Sequence, residues 1–344
     1  RKTLLVSLDD LLAVVREFLG FMQTLAVSGE PGKYKRQNQD YGMQLKFHTI
    51  DVFTSRRFGG NPLGVVLGAD LLTTEQMQTI AHEFNLAETI FVMDPKDPNN
   101  TASVRIFFPT AEISFAGHPT VGCAILLAEM QKGLGRTFET EIRLEEVAGL
   151  VLVAVRNTGG ATWAQFTAPV VPYPVSVPLP SIEAVASALR LTPSDICPAG
   201  QDLGLHEGGP RFFYVPVASR EALTLAQVRE PEWSSILNEL GTVGGYLYTN
   251  GGDDPATSYR TRMLNPAGGG GEDPATGSAA ALFASQLHQT FGFADGTHTF
   301  KLEQGYEMGR PSKLDMEADA IGGKLVAVRV AGRAVRVMEG YLSL

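Results

Sequence analysis

Cysteine and tryptophan are both scarce in this chain, with two of each among 344 residues. The two thiols, Cys123 and Cys197, are too few for a disulfide framework or a metal cluster. They fit a reducing compartment, and a cytoplasmic location is expected. No apolar run reaches the length of a membrane span, so no membrane partner is expected. Charge is sparse as well: 19% of residues carry it, without a block of one sign. The net charge of −9 argues against nucleic acid or an anionic membrane as the main partner. No Gly-x-Gly-x-x-Gly turn stands between a strand and a helix, which argues against a doubly wound nucleotide fold. Glycine and proline, by contrast, are plentiful, at 37 and 20 residues. They imply many turns and short strands in a chain long enough for two ordinary domains.

Residues 1–42 differ from the rest. Leu8, Leu11, Leu12, Val15, Phe18, Met22 and Leu25 recur at helical spacing behind a Ser7–Asp10 capping box, and a polar linker follows. This segment reads as an extension outside the fold, with Met43 as a natural start. From there the pattern is α+β. Strands are expected at 45–53, 89–93, 103–108, 141–144, 150–155 and 162–167, with a turn at Gly59-Gly60-Asn61-Pro62 and a helix from Thr74 to Phe84. Val121 to Glu129 is an apolar helix. Five prolines between Pro169 and Pro180 break every regular pattern and mark the boundary between a first half, 43–172, and a second, 173–344. The second half repeats the theme, with a helix at 182–189, strands at 211–217, 245–249 and 258–264, and an apolar helix from Thr276 to Leu287. Strands at 297–302, 324–330 and 333–342 close the chain, the last free to return to the first half. Short strands with one apolar helix per half suggest two sheets, each curled around a helix.

The most informative stretch is Gly268-Gly-Gly-Gly-Glu272-Asp273-Pro274-Ala275-Thr276-Gly277-Ser278, followed by alanines. Asp273 stands as a cap and Pro274 in the first turn of a helix whose N-terminus would cradle an anion. A tight turn before a buried helix would read the same way. A second copy, Gly117-His118-Pro119-Thr120-Val121-Gly122, strengthens the functional reading. Laying His118 on Asp273 aligns Pro119 with Pro274 and Gly122 with Gly277. Arg-x-x-x-Pro precedes both, as Arg105 to Pro109 and Arg262 to Pro266, although repeated arginines more often tie a strand to a loop. Glu88 marks the change from helix to apolar strand, where partial desolvation would suit a carboxylate to proton transfer. A surface Glu at a helix end is the plainer alternative. Gly244 or Gly245 occupies the corresponding place in the second half, so this acid is not duplicated.

Taken together, Asn85-Leu-Ala-Glu-Thr-Ile-Phe-Val92, Phe115-Ala-Gly-His-Pro-Thr-Val-Gly122 and Glu272-Asp-Pro-Ala-Thr-Gly-Ser278 resemble the phenazine-biosynthesis PhzF-like isomerase family. The resemblance runs from about Met43 to Leu344. It implies a fold like diaminopimelate epimerase, with two pseudo-symmetric halves, each a β-barrel-like sheet around a central helix, and a site in the cleft between them. It further implies that Glu88 takes a proton from one carbon and returns it to another, with His118 and Asp273 assisting. Gly117, Gly277 and Ser278 would offer backbone N–H groups or a hydroxyl to a small anionic metabolite. No metal or cofactor is called for, and a homodimer is expected. Related epimerases use two cysteines; Ala116 and Thr276 stand in the corresponding neighbourhoods, which argues against two-thiol chemistry. The other histidines show no metal-ligand spacing. A cofactor-independent isomerase is therefore expected, with a carboxylate-based amino-acid epimerase or a silent metabolite- or partner-binding protein as alternatives.

Overall fold

The computed structural model of this chain describes residues 43–242, 244–265 and 271–344. The helical spacing read in residues 1–42 and the glycines at 268–270 lie outside the described residues. The first half contains β1 (Gln44–Val52), β2 (Asn61–Leu67), α1 (Thr74–Phe84), β3 (Glu88–Met93), β4 (Ala102–Phe107), β5 (Glu112–Ile113), α2 (Gly117–Lys132), β6 (Phe138–Glu146), β7 (Gly149–Asn157) and β8 (Trp163–Thr167). The second contains β9 (Tyr173–Pro174), α3 (Ile182–Ala188), β10 (Gly204–Glu207), β11 (Arg211–Pro216), α4 (Arg220–Leu225), α5 (Glu232–Glu239), β12 (Gly245–Asn250), β13 (Tyr259–Asn265), β14 (Gly271–Asp273), α6 (Gly277–Phe291), β15 (Gly296–Gln304), β16 (Ser312–Ile321) and β17 (Lys324–Ser343). Among the described residues no helix is long and apolar enough to cross a membrane.

Local sequence explains the first half directly. Thr73 and Gln76 form a capping box that starts α1, and Asn85, in the left-handed conformation, ends it and turns the chain into β3. Along β7, Val151, Val153 and Val155 are buried while Leu150, Leu152 and Ala154 face out, as the strand period of two requires. Helix α2 is apolar on all sides and is buried from Gly117 to Leu126, as such helices must be. A Cβ at Gly122 would lie 2.7 Å from both Leu63 and Val52, so glycine lets α2 approach the sheet closely. The sheet closes around α2 as an eight-stranded barrel in the order β1–β2–β3–β4–β6–β7–β8–β17, the last strand pairing with both β8 and β1.

The second half repeats this topology. Pairings from β10 through β11, β12, β13, β15 and β16 to β17 follow the same order of parallel and antiparallel contacts as β1 through β8. Helix α6 lies inside, and its Phe283 packs among the rings of Tyr214, Tyr246, Tyr248 and Tyr259 at centroid distances of 4.6 to 5.9 Å. Arg105 lies opposite Phe91 and Arg262 opposite Leu247, so counting three residues back places Gly244 at the counterpart of Glu88. Met263 fills the space there, since a Cβ on Gly244 would meet its terminal methyl at 2.3 Å.

Three expectations need correction. The two central helices start at Gly117 and Gly277, and these starts abut: a Cβ on Gly117 would lie 2.9 Å from Gly277 Cα. The structural repeat therefore pairs Gly117 with Gly277 and His118 with Ser278, five residues away from the superposition of His118 on Asp273. Pro119 lies inside the first helical turn, whereas Pro274 precedes its helix, so similar tetrapeptides adopt different backbones. Asp273 ends β14 and does not cap α6; Thr276 holds the cap position. Asn61 and Pro62 belong to β2, not to a turn. Strands β10 and β16 and helices α4 and α5 are present in addition to the elements expected from the sequence.

Candidate active site

The abutting helix starts bring the sequence-predicted residues to one place. Glu88, the first residue of β3, is 7% exposed, and its Oε2 lies 3.2 Å from His118 Nε2 in the first turn of α2. Asp273 arrives from the second half on β14. Asn61 joins the two halves: its Nδ2 donates to Asp273 Oδ1 at 2.8 Å and to the Ala275 carbonyl at 2.9 Å, and it lies 3.3 Å from His118 Nδ1. Because Asn61 Nδ2 only donates, the His118 ring proton belongs on Nε2, facing Glu88. Gly117, Gly277 and Ser278 occupy the first turns of α2 and α6, where backbone N–H groups have no partner within the helix. Sequence reasoning missed Asn61 because one side chain reaching three segments leaves no local pattern.

Burial sets the charges. It raises the Glu88 carboxyl well above the usual carboxylate range, and the nearby Asp273 charge pushes in the same direction. It draws His118 down to about 3. The Glu88–His118 contact is thus between neutral groups and not an ion pair. Burial also lifts Asp273, to about 6, against hydrogen bonds from Thr276 and Asn61 that favour its ionised form. Burial thus holds both carboxyls toward their protonated forms, and each disfavours the charge of the other. Glu88 Oε2, His118 Nε2 and Asn61 Oδ1 are all buried without a hydrogen bond from the protein.

The remaining candidates lie elsewhere. Arg105 grips Glu112 through two nitrogens, and Arg262 grips Glu272 in the same way, so both act as strand-to-loop ties. His206 is held between Ser285 and Gln286. Burial pushes the Cys123 thiol up and that of Cys197 up to about 11, far from the thiolates that two-thiol epimerisation needs. Among the described residues, no cluster of three or more His, Cys, Asp or Glu side chains is placed to hold a metal ion.

A further buried carboxyl supports α2 from behind. Thr120 Oγ1 lies 2.7 Å from both the Ala116 carbonyl and Glu146 Oε1. One hydroxyl hydrogen cannot serve both, and a protonated Glu146 donating to Thr120 resolves the conflict. Burial indeed raises Glu146 to about 8. Its folded value exceeds the unfolded one near 4.5, so the folded state binds the extra proton between those limits. Stability is then lost as pH rises from about 4.5 to 8, at up to about 1.4 kcal/mol per unit. Glu146→Gln, which supplies a permanent donor, is expected to match the parent at pH 5 and exceed it at pH 9 in urea denaturation. An unchanged pH dependence would contradict this reading.

Comparison with known proteins agrees with this architecture. A family model described as phenazine biosynthesis-like protein matches residues 50–340. An isomerase of Mesorhizobium japonicum is 39% identical over 304 residues, covering 87% of this chain and 99% of its own. The trans-2,3-dihydro-3-hydroxyanthranilate isomerase of Pseudomonas aeruginosa is 32% identical over 302 residues, covering 86% and 98%. Among solved structures, the phenazine biosynthesis protein of Bacillus anthracis superposes with a TM-score of 0.78 at 25% identity, covering 88% of this chain and all of its own.

Proposed function

The chain belongs to the phenazine biosynthesis-like family and is an isomerase; from that premise we propose that it moves a proton between two carbons of a small carboxylate-bearing metabolite without a cofactor. Glu88 in its ionised form takes the proton, and the electron pair left by the C–H bond spreads into the conjugated system of the substrate. Glu88 then returns the proton to a second carbon, so atoms and charge balance. A carboxyl raised by burial is the stronger base once it is ionised. His118 and Asp273 orient the substrate and assist proton movement. The N–H groups at the two helix starts, with the Ser278 hydroxyl, hold the anionic end and stabilise charge that develops nearby.

The observation that carries this reading is the linkage of Glu88, His118, Asn61 and Asp273 across both halves. Gly244 at the counterpart position of Glu88 in the second half supports a single base that takes and returns the proton. Two carboxyls from opposite halves would also suit an epimerase that inverts a stereocentre, and isotope placement separates the two. The first substrate to try is trans-2,3-dihydro-3-hydroxyanthranilate, in D₂O, followed by cyclic and amino-acid carboxylates. Deuterium at a new carbon with movement of a double bond is the expected result, whereas deuterium at an inverted centre would favour the epimerase. Calorimetric binding of these compounds with neither product nor exchange would indicate a silent binding protein and overturn the proposal.

A further inference from the structure

The last residue of β15, Gln304, is fully buried and has no part in the cluster described above, yet it spends its entire amide on the loop between Asp273 and α6. Its Oε1 accepts from Thr276 N at 3.2 Å. Its Nε2 donates to the Asp273 carbonyl at 2.8 Å and to Thr276 Oγ1 at 3.0 Å. Thr276 in turn makes a short hydrogen bond to Asp273 Oδ2. We propose that Gln304, acting through Thr276, is a positioning residue that aims and ionises the Asp273 carboxylate.

The argument is one of donors and acceptors. A threonine hydroxyl has a single hydrogen. With the Gln304 amide donating onto Oγ1, that hydrogen is free to go only to Asp273. The other Asp273 oxygen accepts from Asn61, so each carboxylate oxygen is held by one fixed donor. The backbone supplies a second clue. Thr276 stands at the cap position of α6, where a threonine ordinarily accepts from its own helix, yet it makes no such bond. Its hydroxyl is turned away from the helix and toward Asp273. The first-turn N–H groups of α6 consequently lack a side-chain cap and are left for the anionic end of a substrate. This inference rests on the role proposed for Asp273, and its test does not require turnover.

The groups facing Asp273 are Glu88 from β3, Tyr246 from β12, Glu272 from its own strand, and His118 from α2 through Asn61. None of them is altered by substitution at 276 or 304, so the titration of Asp273 reports on the relay. The experiment is a pH titration of the protein labelled with ¹³C at aspartate Cγ, the Asp273 signal being assigned by its loss in Asp273→Asn. Thr276→Val is expected to raise the Asp273 midpoint by about one pH unit, since a hydrogen bond to the charged form has been removed. Thr276→Ser is expected to restore it. Gln304→Leu should shift it in the same direction as Thr276→Val. Gln304→Asn, which keeps an uncharged amide but draws it back by one methylene, carries the test should the aliphatic variants lose their native near-ultraviolet circular dichroism, and it too should raise the midpoint. Midpoints equal to the parent in the folded variants would overturn the relay. An unshifted midpoint with deuterium exchange intact removes the relay alone, whereas a shifted midpoint with no exchange on any substrate removes the reaction alone.

Discussion

Glu88→Gln is expected to reduce solvent-deuterium incorporation into substrate by about 10²- to 10⁴-fold, the usual contribution of a positioned acid–base group. The substitution isolates chemistry from folding. Glu88 is buried and held toward its neutral form, so an uncharged amide of the same shape enters an environment already suited to it. The 3.2 Å approach to His118 Nε2 is compatible with the amide, whose oxygen can stand where the carboxyl oxygen stood. What disappears is the capacity to accept a proton from carbon. A thermal midpoint close to that of the parent, together with lost exchange, is the combined result expected. Full turnover in a folded Glu88→Gln protein would end the assignment of this residue as the base.

The second large effect concerns stability and uses the pseudo-symmetry as its own control. Arg262 and Arg105 occupy matching positions, and each binds a carboxylate through two nitrogens. Their surroundings differ. The Arg262 side chain is 9% exposed, and its Nη1 also donates to the carbonyls of Leu223 and Ala226 at the end of α4. The Arg105 side chain is 25% exposed, and its partner Glu112 is similarly wet. Removing one member of a buried pair leaves the other charge without compensation, at about 3–5 kcal/mol, whereas solvent screens an open pair to about 1 kcal/mol or less. Arg262→Met is therefore expected to lower the urea midpoint far more than Arg105→Met. Equal effects would show that burial does not distinguish them. Because Glu272 adjoins Asp273, the Arg262 variant should also disturb proton exchange.

Much of this was legible from residue order, for identifiable reasons. Helix α1 announces itself through Thr73 and Gln76, whose capping interaction is local. The apolar character of α2 and α6 marks central helices, because only a fully enclosed helix tolerates it. Glu88, His118, Asp273, Gly117, Gly277 and Ser278 were all named from short motifs, and the structure gathers them around the two helix starts. The error in aligning the repeats has an equally physical origin. A proline followed three residues later by glycine looks alike in one dimension whether it lies within a helical turn or ahead of one, and only the contact between Gly117 and Gly277 separates the cases. Strand β16 was readable, since Leu314, Met316, Ala318 and Ala320 alternate with exposed or half-buried residues. Asn61 and Gln304 were not, because each acts across more than twenty residues with no periodicity to betray it.

Strand β17 carries a consequence for the order of events during synthesis. Gln44 pairs with Ser343, so the first strand of the fold waits for the last before its outer edge is covered. Until then the barrel stands open along β1 and β8, presenting unpaired backbone on both sides of the gap. Such long-range closure is intrinsically slow. A nascent chain held on the ribosome thus resembles an unfastened cuff, most vulnerable to sticking to its neighbours in the interval before its final twenty-residue strand emerges.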